Sequence, residues 1–320
     1  MRNADYVVKR IAIALVTALV AVTLNFVIFR AAPGTAVSDL SRIPGATPAL
    51  RQSLNREFGL DKSKWEQYGI YLVQLAHGNL GRSYQDRQPV LSDLGTALAN
   101  TVPMVALGVV AAILLGILTG ALFAWRRGTR LEQLGAGVTI VLFALPGQLL
   151  GLMLLIVFAG VLPPGGMTND FLIDPSFWVH AKDVLVHMAL PALTLAVALY
   201  GGYTLIVRAA VVETLGEDYI LTARAKGLRA RTVLRRYALR NAMLPITTHV
   251  ALSLSYIVTG ATLVEVVFSW PGIGRAIYGA ATARDYPLLQ GAFLLLTLSV
   301  VFCNLVVDLL YLRLDPRVTE

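Results

Sequence analysis

The stretch VPMVALGVVAAILLGILTGALFAW, residues 102–125, contains 24 residues and no charged side chain. A helix needs about 20 mostly apolar residues to cross the roughly 30 Å hydrocarbon core of a bilayer, and a buried helix of a soluble protein seldom needs so many. Five more apolar runs lie along the chain, approximately at residues 11–29, 135–161, 184–207, 244–268 and 288–312. The sequence therefore predicts an all-α integral membrane protein with six transmembrane helices.

The composition agrees with this class. Of the 320 residues, 56% are hydrophobic and 14% are charged, which is too few charges to cover the surface of a soluble protein of this size. The first apolar run follows Arg2, Lys9 and Arg10, as the apolar core of a signal peptide would. It is longer than such a core and no convincing A-x-A cleavage site follows, so we expect a retained helix.

Basic residues predict the topology. Short loops rich in Lys and Arg remain on the cytoplasmic side of the membrane. The clusters that this rule places inside are Arg2, Lys9 and Arg10; Arg126, Arg127 and Arg130; the loop that starts at Arg208; and Arg313 with Arg317. Both termini are therefore predicted to be cytoplasmic. The net charge of +8 reflects this alternation and forms no continuous face for nucleic acid.

The segment 31–100 differs from the rest of the chain in its polar composition and its turn residues. Apolar residues recur at helical spacing in PALRQSLNREFGL (48–60) and in WEQYGIYLVQLAHGNLG (65–81), which predicts two short amphipathic helices. They either pack on the bundle or a partner, or form a covering loop. We divide the chain into residues 1–100, the first helix with a small extracytoplasmic segment, and residues 101–320, a five-helix core with an inner loop at about 208–243.

No residue pattern predicts catalysis or a bound cofactor. The four histidines lack metal-ligand spacing, and Cys303 is the only cysteine. Phosphate-loop, nucleophile-elbow and dinucleotide motifs do not occur, so the chain is not expected to hydrolyse ATP itself. An intramembrane enzyme would need paired catalytic groups at one depth, and none is found. Polar residues such as Asn25 and His249 either bond neighbouring helices or line a path.

The inner loop contains a short helical pattern. Tyr219, Thr222, Ala223 and Lys226 fall on related turns, and Gly227 offers a place for the helix to stop. Small side chains let another protein approach closely, which favours a docking element. The arginines that follow are also typical of an interfacial helix bound to anionic lipid, and the residues alone leave both interpretations open.

A resemblance to a known family favours the docking element over the lipid-bound helix. ILTARAKGL (220–228) followed by RRYALRNAMLPI (235–246) resembles the cytoplasmic EAA loop of binding-protein-dependent ABC importer permeases. Leu221-Thr222-Ala223 stands where the general pattern has Glu-Ala-Ala, Gly227 matches its glycine, and Leu244-Pro245 matches its closing Leu-Pro. The glutamate is absent, and the interval from Gly227 to Pro245 is longer than the general pattern allows. The loop nevertheless resembles the dipeptide, oligopeptide and nickel branch, where the stretch ARAKGL (223–228) is usual.

A second block is similar to the same branch. It comprises LVEVVFSWPGIGRAIYGAATARDYPLLQGAFLL (263–295) and NLVVDLLYLRLDPRV (304–318). The resemblance implies a type I importer permease fold in a bacterial or archaeal inner membrane, with two homologous permeases forming the pathway. It also implies two cytoplasmic ATPase subunits that bind ATP and Mg, and an extracytoplasmic solute-binding protein that delivers the cargo.

The same resemblance implies roles for particular residues. The helix that couples the permease to the ATPase would be formed by Tyr219, Thr222, Ala223, Arg224, Ala225, Lys226 and Gly227. Independently of the resemblance, Pro271, Gly272 and Gly274 predict a tight re-entrant turn at the outer surface. With Trp270, this turn would form an outer gate, a docking point for the binding protein or a structural corner. The expected cargo is a di- or oligopeptide, with nickel or another small solute as the alternative. A receptor or scaffold would not need an ATPase-docking loop.

Overall fold

The computed structural model describes residues 2–31, 62–169, 171, 176–243, 246–247, 249–250, 253 and 262–314. Its helices are α1 (Arg2–Ala31), α2 (Lys64–Ala76), α3 (Val90–Trp125), α4 (Arg130–Ala144), α5 (Gly147–Val157), α6 (Phe177–Leu215), α7 (Asp218–Ala225), α8 (Ala230–Thr232), a π-helix (Val233–Ala238), α9 (Thr262–Val267), α10 (Ile273–Ala283) and α11 (Tyr286–Leu314). No β-strand occurs among the described residues, which agrees with the predicted all-α class.

Among the residues that the structure describes, four helices are long and apolar enough to cross a membrane. They include the segments Asp5–Phe29, Val90–Trp125, Phe177–Leu215 and Tyr286–Leu309, and α4 with α5 make a fifth crossing if the bent pair counts as one. The predicted span 244–268 lies mostly outside the described residues, as does the predicted helix 48–60. The structure therefore supports a multi-pass membrane protein of at least four crossings.

The apolar run predicted to span the membrane at residues 135–161 is sharply bent in the structure. α4 and α5 meet at an angle of 106° around Leu145 and Pro146. Both linking residues have extended ψ angles, of 132° and 136°. A residue before proline is disfavoured in the α-helical conformation, so the helix ends there and restarts at Gly147. Hydropathy does not distinguish a straight span from a bent one, because both are continuously apolar.

The chain divides into two compact units, residues 1–99 with 272–320 (unit 1) and residues 100–271 (unit 2). The sequence division had grouped residues 272–320 with 101–271. In the structure, α11 packs antiparallel against α1, with Arg10 paired to Asp308 at 3.1 Å. Both side chains are about one-third exposed, so this pair contributes little stability and the apolar contact between the helices dominates.

In unit 1, α2 is the predicted amphipathic helix, capped by Ser63 and Glu66 in a reciprocal capping box. The Ser63 hydrogen bonds lower the pKa of the Glu66 carboxyl. The helix packs on α1, where the Tyr71 hydroxyl donates to Asn25 Oδ1 at 3.3 Å. Burial raises the pKa of Tyr71 to about 12, so the hydroxyl remains a donor at neutral pH.

Also in unit 1, Asp285 fastens the loop before α3. The carboxylate is 1% exposed and accepts from Ser83 Oγ at 2.5 Å and from the Tyr84 backbone N–H at 3.0 Å. Its other oxygen accepts from the Leu288 N–H in the first turn of α11. A buried carboxylate satisfied in this way holds two chain segments together.

In unit 2, α3 and α6 run parallel in close contact. A Cβ added at Gly116 would lie 2.4 Å from the Tyr203 Cβ, and one at Gly120 would lie 2.6 Å from the Thr204 carbonyl oxygen. Real side chains do not approach so closely, so only glycine permits this separation. Small residues at helix contacts are typical of membrane proteins. The core of unit 2 has one cluster around Phe268 and Trp270 and another around Val207 and Ile220.

Candidate functional site

The helix α7 lies between the end of α6 and residues 229–240, an arginine-rich segment that includes the π-helix. Gly216 follows the last residue of α6, and α7 begins at Asp218 after a single extended residue, Glu217. The helix covers most of the predicted segment Tyr219–Gly227. A connection this short between two helices leaves α7 little freedom to change its distance from α6.

The inner face of α7 is buried in the chain's own core. Ile220 is 0% exposed and Ala223 is 3% exposed, and both belong to the cluster that contains Val207 and Val211 of α6 and Val233 of the π-helix. Residues three apart lie on the same side of a helix, which explains the shared direction. Ala223 therefore packs inward in this structure.

The opposite face of α7 is open. Taking 100° per residue from Ile220, the direction opposite the buried pair falls on Leu221, Thr222 and Ala225. All three are exposed, and Leu221 keeps 59% of its surface accessible. Sequence reasoning placed Leu221 in the motif but not among the site residues. The i, i+3 spacing of Ile220 and Ala223 was the signal that would have shown Leu221 facing outward.

Tyr219 joins α7 to the arginine-rich segment. Its hydroxyl accepts a hydrogen bond from Asn241 Nδ2 at 2.9 Å, and 38% of the residue remains exposed. The partner lies 22 residues further along the chain, so the sequence pattern gave no indication of it. The bond ties the start of α7 to the helical residues that lead toward the predicted fifth span.

Gly227 ends the helix, as the sequence predicted. Its φ of +73° is in the left-handed region, and its backbone N–H donates to the Arg224 carbonyl at 2.9 Å. A Cβ at this position would meet no atom within 4 Å. The requirement for glycine here is therefore conformational and not steric.

An ion pair joins the first turn of α4 to the C-terminal part of α6. The Arg208 Nε and terminal nitrogen donate to Glu132 Oε1 at 2.9 and 2.5 Å. Glu132 is 7% exposed, in the first turn of α4, and Thr129 caps that helix. Because the carboxylate is almost fully buried, losing the arginine would leave an uncompensated charge. The pairing of residues 76 apart was not predicted from sequence.

The second predicted site follows α9. Trp270 is 0% exposed, and its indole Nε1 donates to the Asn100 carbonyl at 3.0 Å, while Asn100 Nδ2 donates to the Pro271 carbonyl at 2.9 Å. Close by, the buried Glu265 accepts from Thr101 Oγ1 at 2.7 Å. These bonds form a corner that joins the end of α9 to the residues where unit 2 begins.

The two glycines of this stretch, Gly272 and Gly274, belong to unit 1. Gly272 is the extended residue before α10, and Gly274 is a buried residue within that helix. The sequence interpretation treated Pro271, Gly272 and Gly274 as one tight turn. The turn is shorter than that, because α10 begins at Ile273. Among the residues that the structure describes, no group of three His, Cys, Asp or Glu side chains is placed to hold a metal ion.

Comparisons with known proteins agree with the resemblance of the two motifs. The model of the family described as "Binding-protein-dependent transport system inner membrane component" matches residues 112–320. The chain is 33% identical over 333 residues to the dipeptide transport system permease protein DppB of Escherichia coli strain K12, covering 98% of both chains. It is 35% identical over 312 residues to the probable D,D-dipeptide transport system permease protein DdpB of that strain, covering 92% of both. It is 31% identical over 320 residues to the glutathione transport system permease protein GsiC of Escherichia coli O6:H1, covering 98% of both.

Proposed function

This chain belongs to the family of binding-protein-dependent transport system inner membrane components, and from that premise we propose that it forms half of the translocation pathway of an ATP-driven importer of di- or oligopeptides. A second homologous permease supplies the other half. Two cytoplasmic ATPase subunits bind and hydrolyse ATP with Mg, and an extracytoplasmic binding protein delivers the peptide. The chain itself supplies no ATPase site.

The observation that carries this proposal is the two-sided character of α7. Its inner face packs with Ala121 and Ala124 of α3 and with Val207 and Val211 of α6 in one apolar cluster, whereas its outer face leaves Leu221 accessible. A partner that binds the outer face and moves therefore acts directly on two membrane-spanning helices.

The free energy of burying α7 favours the transmission of a movement from its outer face to α3 and α6. Burying an Ile side chain such as Ile220 stabilises a packed state by about 1.5–3 kcal/mol, so α7 does not detach readily from its cluster. A partner can bias a bundle with two states only through contacts that differ between those states. A rigid α7 converts a displacement of its outer face into such a difference, with Leu221, Thr222 and Ala225 making the contact.

The full crossing number in this proposal is six, with both termini in the cytoplasm. Support comes from the four long helices, from the bent pair α4 and α5, and from the apolar composition of residues 244–268. An even number of crossings returns the chain to its starting side, which fits the basic residues at both ends.

The names of the similar proteins favour a peptide cargo over nickel. The three named above are called permeases for dipeptide, D,D-dipeptide and glutathione transport. All three names describe short peptides, and the chain matches each along more than nine-tenths of its length. At the outer side, we assign the Trp270 corner a structural role, because its indole is buried and bonded within unit 2.

The decisive experiment is reconstitution of the four-subunit complex in liposomes with its binding protein. Uptake of labelled di-, tri- and longer peptides and of nickel would be measured together with ATP hydrolysis. We expect dipeptide or tripeptide uptake that depends on ATP and the binding protein. Nickel uptake without peptide uptake would contradict the cargo, and failure to co-purify with ATPase subunits would contradict the function.

A substitution sharpens that experiment. Leu221→Asp places a charge on the outer face of α7 and leaves the inner cluster unchanged. We expect ATP-driven uptake to fall at least about tenfold, since a buried unpaired charge costs an interface more than 1.4 kcal/mol. The control is Leu118→Asn in the C-terminal quarter of α3, a residue that is 68% exposed, where we expect retained coupling in any complex that assembles. Normal uptake by Leu221→Asp would show that the ATPase binds elsewhere.

A further inference from the structure

A cavity of about 490 Å³ lies beside α7 within unit 2. It is a partly open cavity, bounded by the end of α3, the end of α6, one flank of α7 and the start of the arginine-rich segment. The side chains that define it are Trp125, Arg127, Leu215, Arg224, Leu228 and Val233. The proposed function makes no use of this space.

Two positive charges line this cavity without a counter-charge. Neither Arg127 nor Arg224 has a side-chain hydrogen bond or ion pair with any residue that the structure describes, unlike Arg208 with its Glu132 partner. No acidic side chain is found among the described residues of the lining. Both arginines are exposed, and an anion placed between them could accept charge-assisted hydrogen bonds from both.

The position of Arg224 on its helix separates the cavity from the outer face of α7. Arg224 follows Ala223 by one residue and Ile220 by four, so it lies about 70° from the buried direction and on the flank of the helix. Leu221 lies about 60° from Arg224 and Ala225 about 100°, so the centre of the outward face, near Ala225, is turned away from Arg224. A partner covering the outward face therefore leaves the flank that Arg224 occupies facing the cavity.

The remaining walls are apolar and lie at the end of the long apolar helix α3. Trp125 is the last residue of the apolar helix α3, and tryptophan is enriched where hydrocarbon meets headgroups. Leu215, Leu228 and Val233 complete the lining. A small hydrated anion gains nothing from such walls, whereas the glycerol and first methylene groups of a phospholipid do. Anionic lipids also give the cytoplasmic leaflet its negative surface potential.

We propose that this cavity binds the headgroup phosphate of an anionic phospholipid from the cytoplasmic leaflet. Arg127 and Arg224 donate hydrogen bonds to the phosphate oxygens, and the apolar residues contact the glycerol and the start of the acyl chains. The bound lipid joins the end of α3 to the flank of α7, and so supports α7 in the position that the ATPase contacts. The inference rests on the cytoplasmic location of α7 in the proposed function, but not on the cargo.

The test measures lipid retention directly. The purified complex in detergent is titrated with phosphatidylglycerol or phosphatidylcholine, and bound lipid is counted by native mass spectrometry. We expect selective retention of phosphatidylglycerol, weakened about fivefold by Arg127→Gln, since a basic residue near the membrane contributes about 1 kcal/mol to such binding. Arg126→Gln is the matched control, because Arg126 is exposed in the same loop but does not line the cavity.

Three results would overturn the proposal. The first is equal weakening by Arg127→Gln and Arg126→Gln, which would indicate attraction to surface charge alone. The second is displacement of phosphatidylglycerol by millimolar inorganic phosphate, which would identify a soluble anion as the ligand. The third is retention only after the ATPase subunits are removed, which would assign the cavity to the ATPase contact. A complex that retains the lipid selectively but transports no peptide would support this site and contradict the proposed function.

Discussion

Two connections in unit 2 are built in opposite ways. The corner at Trp270 buries its indole completely and bonds it to backbone at Asn100, so all its interactions are internal. α7 buries only Ile220 and Ala223 and leaves Leu221 accessible. The comparison separates two reasons why a short connection has a fixed sequence. The corner is specified by the fold of its own chain, whereas the outward half of α7 stays accessible among the described residues, which suits the proposed contact with an ATPase.

The largest expected effect is at the corner. Trp270→Ala removes a fully buried aromatic side chain and leaves the Asn100 carbonyl without its donor. We expect a loss of stability of about 3–5 kcal/mol, seen as a lower Tm and reduced yield of the purified complex. Pro271→Ala is the control, because Pro271 is exposed and its carbonyl is retained. If Trp270→Ala kept full stability but lost binding-protein docking, the corner would be an interface like α7.

The next effect contrasts the two faces of α7. Ala223→Leu forces a larger side chain into the inner cluster, which we expect to cost about 1–3 kcal/mol of stability. Ala225→Leu makes the same chemical change on the exposed face, so Tm should hardly change while ATP-driven uptake falls. Thermal unfolding and uptake measured on both variants check this. Equal destabilisation by the two substitutions would mean that α7 is buried on all sides in the assembled complex.

A smaller effect is expected where α7 ends. Gly227→Val places a branched side chain at φ +73° and should cost more than about 1 kcal/mol, although there is space for the side chain. Gly227→Asn is the control, since asparagine tolerates the left-handed region. We expect reduced coupling of ATP hydrolysis to uptake in the valine variant and near-normal coupling in the asparagine variant. Equal activity of the two would show that the end of α7 does not need this conformation.

The smallest effect tests the bond that orients α7. Tyr219→Phe removes the hydroxyl that accepts from Asn241 Nδ2. Because the hydrogen bond is exposed, we expect its loss to lower the free energy of unfolding by at most about 1 kcal/mol. Uptake should fall modestly, with little change in Tm. Asn241→Ala removes the other partner and should have a similar effect. The double variant should then be no worse than either single one, and additive losses would show that the two side chains act separately.

Local patterns in the sequence predicted the elements that they determine. The apolar run 102–125 predicted the spanning part of α3, helical spacing predicted α2, and Gly227 predicted the end of α7. Each depends on neighbouring residues only. The orientation of Ala223 was different, because small side chains suit both a partner and a tight core. Which of the two applies depends on Val207 and Val233, which are near Ala223 only after folding.

The same reasoning explains the other differences. The bend around Pro146 interrupts a run that remains apolar throughout, so hydropathy contained no sign of it. The bond between Glu132 and Arg208 joins residues 76 apart. Trp270 fitted a docking residue and a corner equally well, and only its hydrogen bond to Asn100 favours the second. Long-range partners such as these leave no regular spacing in one sequence.

The close contact at Gly116 and Gly120 has a mechanical consequence. Because no side chain separates the two backbones at these glycines, we expect α3 and α6 to move together as one rigid unit. From Asn100 at the corner to Ala124 beside α7, the helix α3 is about 36 Å long at 1.5 Å per residue. We therefore expect a displacement of a few ångströms at the end beside α7 to reach Asn100 almost undiminished, without rearrangement of the side chains in between.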